Sequence, residues 1–363
     1  MENNIKESIE KYDSKKIYES INMFHEQCTH AWENAHTKPV GNVIKNVLVI
    51  GMGGSALGAY IIQSLNILNV PLSVSHEYFV PEWVSDETLV LAMSYSGGTE
   101  ETLSATESAL GKGATVVGIT CAPTTPSFGH PSSGRRGENL ADILEEKKCQ
   151  VYTIDTSKNP CGQPRFGVGS MMAVMLKVFM TNELTTITEK DIQETFNELE
   201  LWEKSFEETN RINQIYSRAE MVKDNILIYV YAEHLTNIGR FARNQTNETA
   251  KTLALTHEIP ELNHHLMEGL EYPQENKKLL HFFFHESDLY ADKIKKRFHI
   301  TKDVLDKQNI AHTTTHMEGQ TKLAQTFIAM LRSMYFAFSL ALIHQKDPSD
   351  IPWVNYFKEQ LGK

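Results

Sequence analysis

The sequence predicts two α/β domains, each with a mainly parallel sheet flanked by helices. The chain has 363 residues, which is more than one average domain and enough for two hydrophobic cores. Short β-rich runs alternate with longer amphipathic stretches, as is typical of parallel α/β layers. The alternation occurs in both halves, which indicates a duplicated architecture although the halves share little literal identity.

The first half, residues 1–185, is predicted to form one domain. Its strands are rich in valine, isoleucine and leucine, and apolar residues recur at helical spacing between them. The strands are expected at 46–50, 72–76, 88–93, 114–119 and 150–154, and the helices at 56–68, 100–110, 138–147 and 167–180.

The second half, residues 186–363, is predicted to form the other domain and to include the C-terminal helix. A polar helical stretch, 185–219, would link the two halves. The strands are expected at 226–232, 278–284 and 310–316, and the helices near 235–251, 288–307 and 320–344.

Composition excludes several classes of partner. The formal net charge is −11 at pH 7, whereas nucleic acid or anionic membrane as the main partner requires a dominant basic surface. The N-terminus is polar, and no apolar run approaches the ~20 residues that span a bilayer. We therefore expect a cytoplasmic protein with a small-molecule partner, no nucleic acid and no membrane.

The cysteines point to neither a disulfide framework nor a zinc site. Cys28, Cys121, Cys149 and Cys161 lie far apart and form no C-x-x-C pair. No metal and no organic cofactor is expected.

The first chemical motif is VLVIGMGGSALG at 47–58. A buried strand runs into the turn Gly53-Gly54-Ser55, and a helix follows. Backbone N–H groups and a helix N-terminus at such a turn form an anion site. The glycines also satisfy the relaxed dinucleotide fingerprint, which requires an acidic residue ~20 positions further on. The nearest acid, Glu77, lies 26 residues past Gly51, which counts against a dinucleotide and favours phosphate.

The second motif is AMSYSGGTEETL at 92–103. Ser94, Ser96 and Thr99 surround a Gly-Gly turn between a strand and a helix. A phosphate dianion needs several converging donors, which hydroxyls and amides supply without lysine. Helix N-capping would explain Thr99 but not the two serines as well. The motif therefore predicts phosphate binding.

Three arginines are expected in loops near strand or helix ends. Arg165, in PRFGVG, stands at a loop–helix junction and either neutralises charge that develops on a substrate or lies on the surface. The segment 121–138 is rich in Pro, Ser and Gly and is expected to be a loop. It is either a plain insertion or a lid that carries Arg135 and Arg136.

A carboxylate and an imidazole lie sixteen residues apart in the second half. Glu248 falls near the end of a predicted helix, and Pro260 prevents that helix from continuing to His264. A turn therefore intervenes, and both side chains can face one cavity. Such a pair supplies the acid and base that aldose–ketose isomerisation requires. The alternatives are a solvated glutamate and a metal-binding or capping pair of His264 and His265.

The S-x-S-G-x-T-x-E-T motif after a strand–GGS turn resembles the sugar isomerase (SIS) domain family. The resemblance implies two SIS-type three-layer α/β domains. It implies that the phosphate of a sugar is held by Gly53, Gly54, Ser55, Ser94, Ser96 and Thr99.

Within that family the chain resembles the bifunctional phosphoglucose/phosphomannose isomerases. N-E-x-A-K at 247–251, the E-x-N-H segment that ends at His264, and P-R-x-x-x-G at 164–169 match their motifs. The resemblance implies that Arg165 stabilises an enediolate, Glu248 is the base and His264 is the ring-opening acid. It also implies a homodimer with His264 supplied across the interface. The implied reaction interconverts glucose 6-phosphate and fructose 6-phosphate, with mannose 6-phosphate as a further substrate.

Two positions depart from the family pattern. Ala337 stands where the family has a small hydroxyl that helps to position a water, so mannose 6-phosphate is the open part of the specificity. His344 aligns with a basic residue of the family, and a neutral histidine is a weaker electrostatic partner than lysine.

Two other functions stay open. An SIS isomerase for another sugar phosphate would not share the spacing of Glu248 and His264. A non-catalytic phosphosugar-binding or regulatory protein would keep the phosphate hydroxyls and could lose the acid–base pair.

Overall fold

The computed structural model describes most of the chain, namely residues 2–121, 139–208 and 211–361. The chain divides into two compact units. The N-unit comprises residues 23–192 with 351–363, and the C-unit comprises residues 1–22 with 193–350. The domain boundary near residue 186 stays a prediction. The chain passes from the N-unit to the C-unit after residue 192. Each terminal segment belongs to the unit that does not contain its neighbouring half of the chain.

Helices and strands alternate along both units. Up to residue 192 the elements are α1 (Glu2–Tyr12), α2 (Ile17–Asn22), α3 (Phe24–Asn34), β1 (Asn46–Gly51), α4 (Gly54–Leu65), β2 (Leu72–Ser75), β3 (Thr88–Ser94), α5 (Glu100–Gly111), β4 (Thr115–Cys121), α6 (Leu140–Glu146), β5 (Gln150–Ile154), α7 (Val168–Thr181) and the start of α8 (Glu189–Glu208). The later elements are α9 (Arg211–Met221), β6 (Ile226–Ala232), α10 (Thr236–Thr249), β7 (Ala254–Ile259), α11 (Leu266–Gly269), α12 (Asn276–Leu279), β8 (Leu280–Glu286), α13 (Asp292–Gln308), β9 (Ala311–His316), α14 (Lys322–Ile343) and α15 (Pro352–Leu361).

The N-unit contains a five-stranded parallel sheet in the order β2-β1-β3-β4-β5. All residues of β3 are buried, as are all but the first of β1, so the central strands form the middle of the core. Burial of such Val- and Leu-rich strands is the main stabilising contribution, about 25 cal/mol per Å² of apolar surface. The predicted α/β fold is confirmed.

The C-unit contains a four-stranded parallel sheet in the order β7-β6-β8-β9. The sequence did not predict β7, because its residues alternate between exposed and buried positions and include polar Thr, His and Glu. A strand, and not only a turn, therefore separates Glu248 from His264. The helices α1, α2 and α3 were likewise not predicted.

The helix α14 lies in the core of the C-unit and packs against α9 and α10. Its 22 residues, with a mean hydropathy of 1.7, have the length and composition of a membrane span, which corrects the expectation that no apolar stretch is long enough. However, 78% of that apolar window is buried. A second helix, α15, follows after Pro348, so the C-terminal helix of the sequence prediction is two helices.

Candidate functional site

The glycine turn after β1 brings two loops of the N-unit into close contact. Gly53 has a φ of 50°, a left-handed conformation that favours glycine, and α4 begins at the next residue. A Cβ added to Gly54 would lie 3.2 Å from backbone atoms of Pro164 and Arg165. Any side chain here would push the arginine loop away by a few tenths of an ångström, so glycine allows its close approach to this turn.

Ser55 joins the glycine turn to the loop that follows β3. Its Oγ accepts a hydrogen bond of 3.0 Å from the backbone N–H of Tyr95, and the residue is buried. That bond occupies a lone pair of the oxygen, so the hydroxyl hydrogen is still able to donate to a ligand oxygen.

Ser94 and Thr99 lie side by side at the second turn. Their hydroxyl oxygens share a hydrogen bond of 3.0 Å, and Ser94 is fully buried. Thr99 is the N-cap residue of α5, but its side chain makes no capping hydrogen bond. The capping role that competed with phosphate binding is therefore absent for Thr99. Ser96, in contrast, is exposed on the same turn.

An unsatisfied hydroxyl borders this turn. Gly97 adopts a φ of 74°, and a Cβ added to it would lie 3.4 Å from Thr120 Oγ1. That oxygen is buried and has no hydrogen-bond partner among the described residues. A buried hydroxyl without a partner costs free energy, which a bound ligand could recover.

Arg165 is buried with 4% of its surface exposed, which excludes the alternative of a solvated surface arginine. It lies in the short 3₁₀ turn Pro164–Phe166. Its Nη1 donates to Gln163 Oε1 at 3.0 Å, and its guanidinium lies 5.3 Å from the centre of the Phe166 ring. A buried guanidinium at a loop–helix junction is placed to stabilise negative charge in a low-dielectric environment.

Two residues that the sequence did not single out hold the arginine loop. The amide of Asn159 donates to the Tyr95 hydroxyl at 2.7 Å and to the Gln163 carbonyl at 3.1 Å. A Cβ on Gly167 would lie 2.4 Å from the Tyr95 ring, so the loop packs directly on that ring. Burial raises the pKa of Tyr95 well above its ordinary value, which keeps the hydroxyl protonated.

Glu248 lies in the last turn of α10 in the C-unit and is half-buried. The helix ends where Lys251 adopts a left-handed φ of 55°. The preceding residue, Asn247, accepts from Ala254 N at 2.8 Å and donates to Ala254 O at 3.2 Å. This reciprocal pair fixes the end of α10 to the start of β7 and so fixes the position of the glutamate.

His264 ends the 3₁₀ turn Glu261–His264 of the C-unit and is exposed. The preceding residue, Asn263, donates to Thr301 Oγ1 at 2.7 Å and accepts from Arg297 at 3.3 Å. As at Glu248, an asparagine one position earlier anchors the segment while the functional candidate itself projects away from the core.

The two departures from the family pattern lie in and after α14. Ala337 is fully buried. His344 is the C-cap of the helix, and its Nε2 donates to the Lys223 carbonyl at 2.9 Å. That contact stabilises the helix end, and a catalytic role for His344 stays a prediction.

The structure thus brings the Gly53-Gly54-Ser55 turn, the loop with Ser94 and Thr99, and Arg165 together within the N-unit. Within the C-unit it shows Glu248 and His264 on segments anchored by asparagine. The described residues contain no group of three or more His, Cys, Asp or Glu side chains able to hold a metal ion. The lid hypothesis for 121–138 lies outside the described residues, apart from Cys121, where burial raises the pKa of the thiol to about 12.

Comparisons with known proteins confirm the resemblance seen in the motifs. Residues 211–361 match the bacterial phospho-glucose isomerase C-terminal SIS domain family. A bifunctional phosphoglucose/phosphomannose isomerase of Caldicellulosiruptor bescii is 28% identical over 360 residues, which cover 96% of this chain and 99% of the relative. The protein of the same name from Aquifex aeolicus is 27% identical over 358 residues, with 96% and 99% covered.

Among solved structures, the C-terminal domain of glucosamine-fructose-6-phosphate aminotransferase from Francisella tularensis has a similar fold. Its TM-score is 0.65 at 12% identity, with 90% of this chain and 94% of that chain covered. At this identity the likeness concerns the fold alone.

Proposed function

We propose that this chain, a relative of the bifunctional phosphoglucose/phosphomannose isomerases, interconverts glucose 6-phosphate and fructose 6-phosphate in the cytoplasm. Relatives with that name align over nearly the whole chain. The observation that carries the proposal is the hydroxyl pair of Ser94 and Thr99, which bond to each other at a helix start without capping it.

The N-unit would hold the phosphate. The hydroxyls of Ser55, Ser94, Ser96 and Thr99 and the amides of the Gly53-Gly54 turn offer donors to a dianion. No lysine is needed, because the N-termini of α4 and α5 add favourable partial charge. The buried Arg165 would then stabilise the enediolate that forms during the reaction.

Proton transfer would fall to the C-unit. Glu248 takes the proton from C2 of open-chain glucose 6-phosphate and returns it to C1 of the cis-enediol, while the hydroxyl proton moves from O2 to O1. The carbonyl thereby moves from C1 to C2. His264 protonates the ring oxygen beforehand, which opens the pyranose. The substrate's own carbonyl accepts the electron pair.

A homodimer in which His264 of the partner subunit completes each site is part of the proposal. Its support is the exposure of His264 on a segment that Asn263 holds firmly in its own chain. Mannose 6-phosphate is proposed as a weaker substrate, because the buried Ala337 has no hydroxyl to position a water.

The test is a coupled assay of fructose 6-phosphate conversion with the full chain and with Glu248→Gln. We expect turnover that the variant loses by about 10²–10⁴-fold in kcat, the usual contribution of general acid–base catalysis. Glu268→Gln is the matched control, because that exposed carboxylate of α11 should leave kcat unchanged.

Two results would contradict the proposal in different ways. Full activity of Glu248→Gln would remove the glutamate from the mechanism. Absent turnover, with fructose 6-phosphate still raising the Tm, would identify a phosphosugar-binding protein that is not an isomerase.

A further inference from the structure

A second basic site lies inside the C-unit, in a cavity of about 30 Å³ between the sheet and the helices α9 and α14. Its polar lining includes Arg218, His285, Thr315, Arg332 and Ser333, beside the rings of tyrosine and phenylalanine residues. None of the lining residues is a carboxylate. The charged side chains that line the cavity are therefore all basic, and most of the remaining lining is apolar or aromatic.

The two arginines have less than one carboxylate to balance their positive charges. Arg218 donates to Thr315 Oγ1 at 2.8 Å, and no described carboxylate lies within ion-pair distance of it. Arg332 reaches Glu318 only at 3.4 Å, whereas Arg211 holds the same carboxylate at 2.7 Å. Burial, and then the like charge of Arg218, lower the pKa of Arg332 to about 10. Two partly buried guanidinium groups thus face one cavity with an excess of positive charge, which an anion would relieve.

His285 adds an acceptor to this basic pocket. Its ring stacks on Tyr231 with centroids 4.1 Å apart, and its Nδ1 lies 3.2 Å from the Phe283 carbonyl. Because a carbonyl oxygen only accepts, Nδ1 carries the proton and Nε2 is left as an acceptor. Burial lowers the pKa of His285 to about 3, so the ring is neutral at physiological pH. The pocket therefore combines two cations with one neutral acceptor, a set that suits an oxyanion which keeps a proton.

We propose that this cavity binds one inorganic phosphate ion, held by Arg218 and Arg332 and donating its own proton to His285. Hydroxyls of Thr315 and Ser333 line the same space. The cavity has room for a single tetrahedral ion in place of one or two waters, each of which takes about 30 Å³, and not for a whole hexose phosphate. The site uses none of the residues assigned to the isomerase reaction, so it does not depend on the proposed function.

Calorimetric titration of the full chain with inorganic phosphate tests the site. The titration uses a Ser94→Ala background, which weakens the hydroxyl loop of the N-unit. We expect one phosphate to bind, and Arg218→Met or Arg332→Met to weaken it by about tenfold or more through loss of a charge-assisted hydrogen bond. Lys223→Met is the matched control, because this exposed lysine pairs with Glu220 and does not line the cavity. Sulfate, which has no proton to donate at neutral pH, should bind about tenfold more weakly than phosphate.

Two results would overturn the proposal. These are equal phosphate affinity in the arginine variants and their parent, and absence of phosphate binding in the Ser94→Ala background. If an arginine variant does not fold, the parent protein is crystallised with arsenate, which has the same shape and protons. An anomalous arsenic peak between Arg218 and Arg332 is expected, and its absence would refute the site.

Discussion

The loops at the carboxyl ends of the two parallel sheets differ in how their polar groups are used. In the N-unit the loop after β3 presents Ser94, Ser96 and Thr99, and Ser96 is exposed. In the C-unit the equivalent loop after β8 has Ser287, whose hydroxyl donates to Gln325 Oε1 at 2.6 Å. The same oxygen of Gln325 lies 2.9 Å from the ring of His234, which follows β6.

Under the proposed function, one topology serves binding in one copy and stability in the other. The strand orders β2-β1-β3-β4 and β7-β6-β8-β9 correspond. A buried glutamine from α14 fills the end of the C-unit sheet, and its side chain satisfies the loop hydroxyl there. In the N-unit glycines stand at the corresponding turn, and the hydroxyls bond to one another or border the unsatisfied Thr120.

The largest loss of kcat is expected when Arg165 of the N-unit is replaced. Replacing it by Gln removes the only cation assigned to the enediolate and should lower kcat by about 10²–10³-fold, as for loss of one oxyanion donor. Steady-state kinetics measure this. Lys158→Gln, which removes a partly exposed cation paired with Glu26, should leave kcat unaltered. Equal losses in both variants would refute a specific role for Arg165.

Paired serine variants test the comparison itself. Ser94→Ala should raise KM for fructose 6-phosphate by about 10–100-fold at nearly constant kcat, because a hydrogen bond to a charged group contributes about 1.5–3 kcal/mol. Ser287→Ala should leave KM unchanged and lower the free energy of unfolding by about 1–2 kcal/mol, since it removes a buried hydrogen bond. Steady-state kinetics of both variants measure KM, and their urea unfolding measures the free energy of unfolding. A rise in KM for Ser287→Ala would mean that the C-unit loop also binds substrate.

A smaller loss of activity is expected for Asn247→Ala. The variant frees the end of α10 from Ala254 and lets Glu248 shift, so kcat should fall by about tenfold, because small misplacements of a catalytic group are costly. KM should change little. Asn225→Ala serves as the control, because that asparagine also bonds to backbone carbonyls of the C-unit, but those carbonyls belong to Lys278 and Leu279 and not to β7. Unchanged kcat in Asn247→Ala would show that the asparagine does not position the base.

Low pH should destabilise mainly the C-unit. Burial lowers the pKa of His281 to about 4 and that of His285 to about 3, against about 6.5 in an unfolded chain. The unfolded chain therefore binds more protons between these values. The stability that the neutral rings contribute is complete above pH ~6.5 and is lost as the pH falls toward ~3. Urea unfolding at several pH values should show this decline in the free energy of unfolding. The dependence on pH should be less steep in His281→Gln. A flat profile would contradict the account.

The sequence predicted most of what lies at strand ends and little of what depends on packing. The strands of the N-unit and the hydroxyls of Ser94 and Thr99 were recognisable because buried β runs and turn residues are local patterns. The strand β7 was missed because an exposed, polar face gives no apolar run.

Long-range contacts gave no signal at all. The bond between Asn159 and Tyr95 joins residues 64 positions apart. The cavity with Arg218 and Arg332 is assembled from two helices and three strands. Such sets follow from tertiary packing, which residue spacing does not encode.

The central claim is that phosphate binding and proton transfer are separate tasks of separate residues. The most direct measurement is a calorimetric titration of Glu248→Gln with fructose 6-phosphate beside its turnover assay. The account predicts binding as tight as in the parent protein, together with a kcat lower by about 10²–10⁴-fold. Loss of binding, or turnover equal to that of the parent, would contradict it.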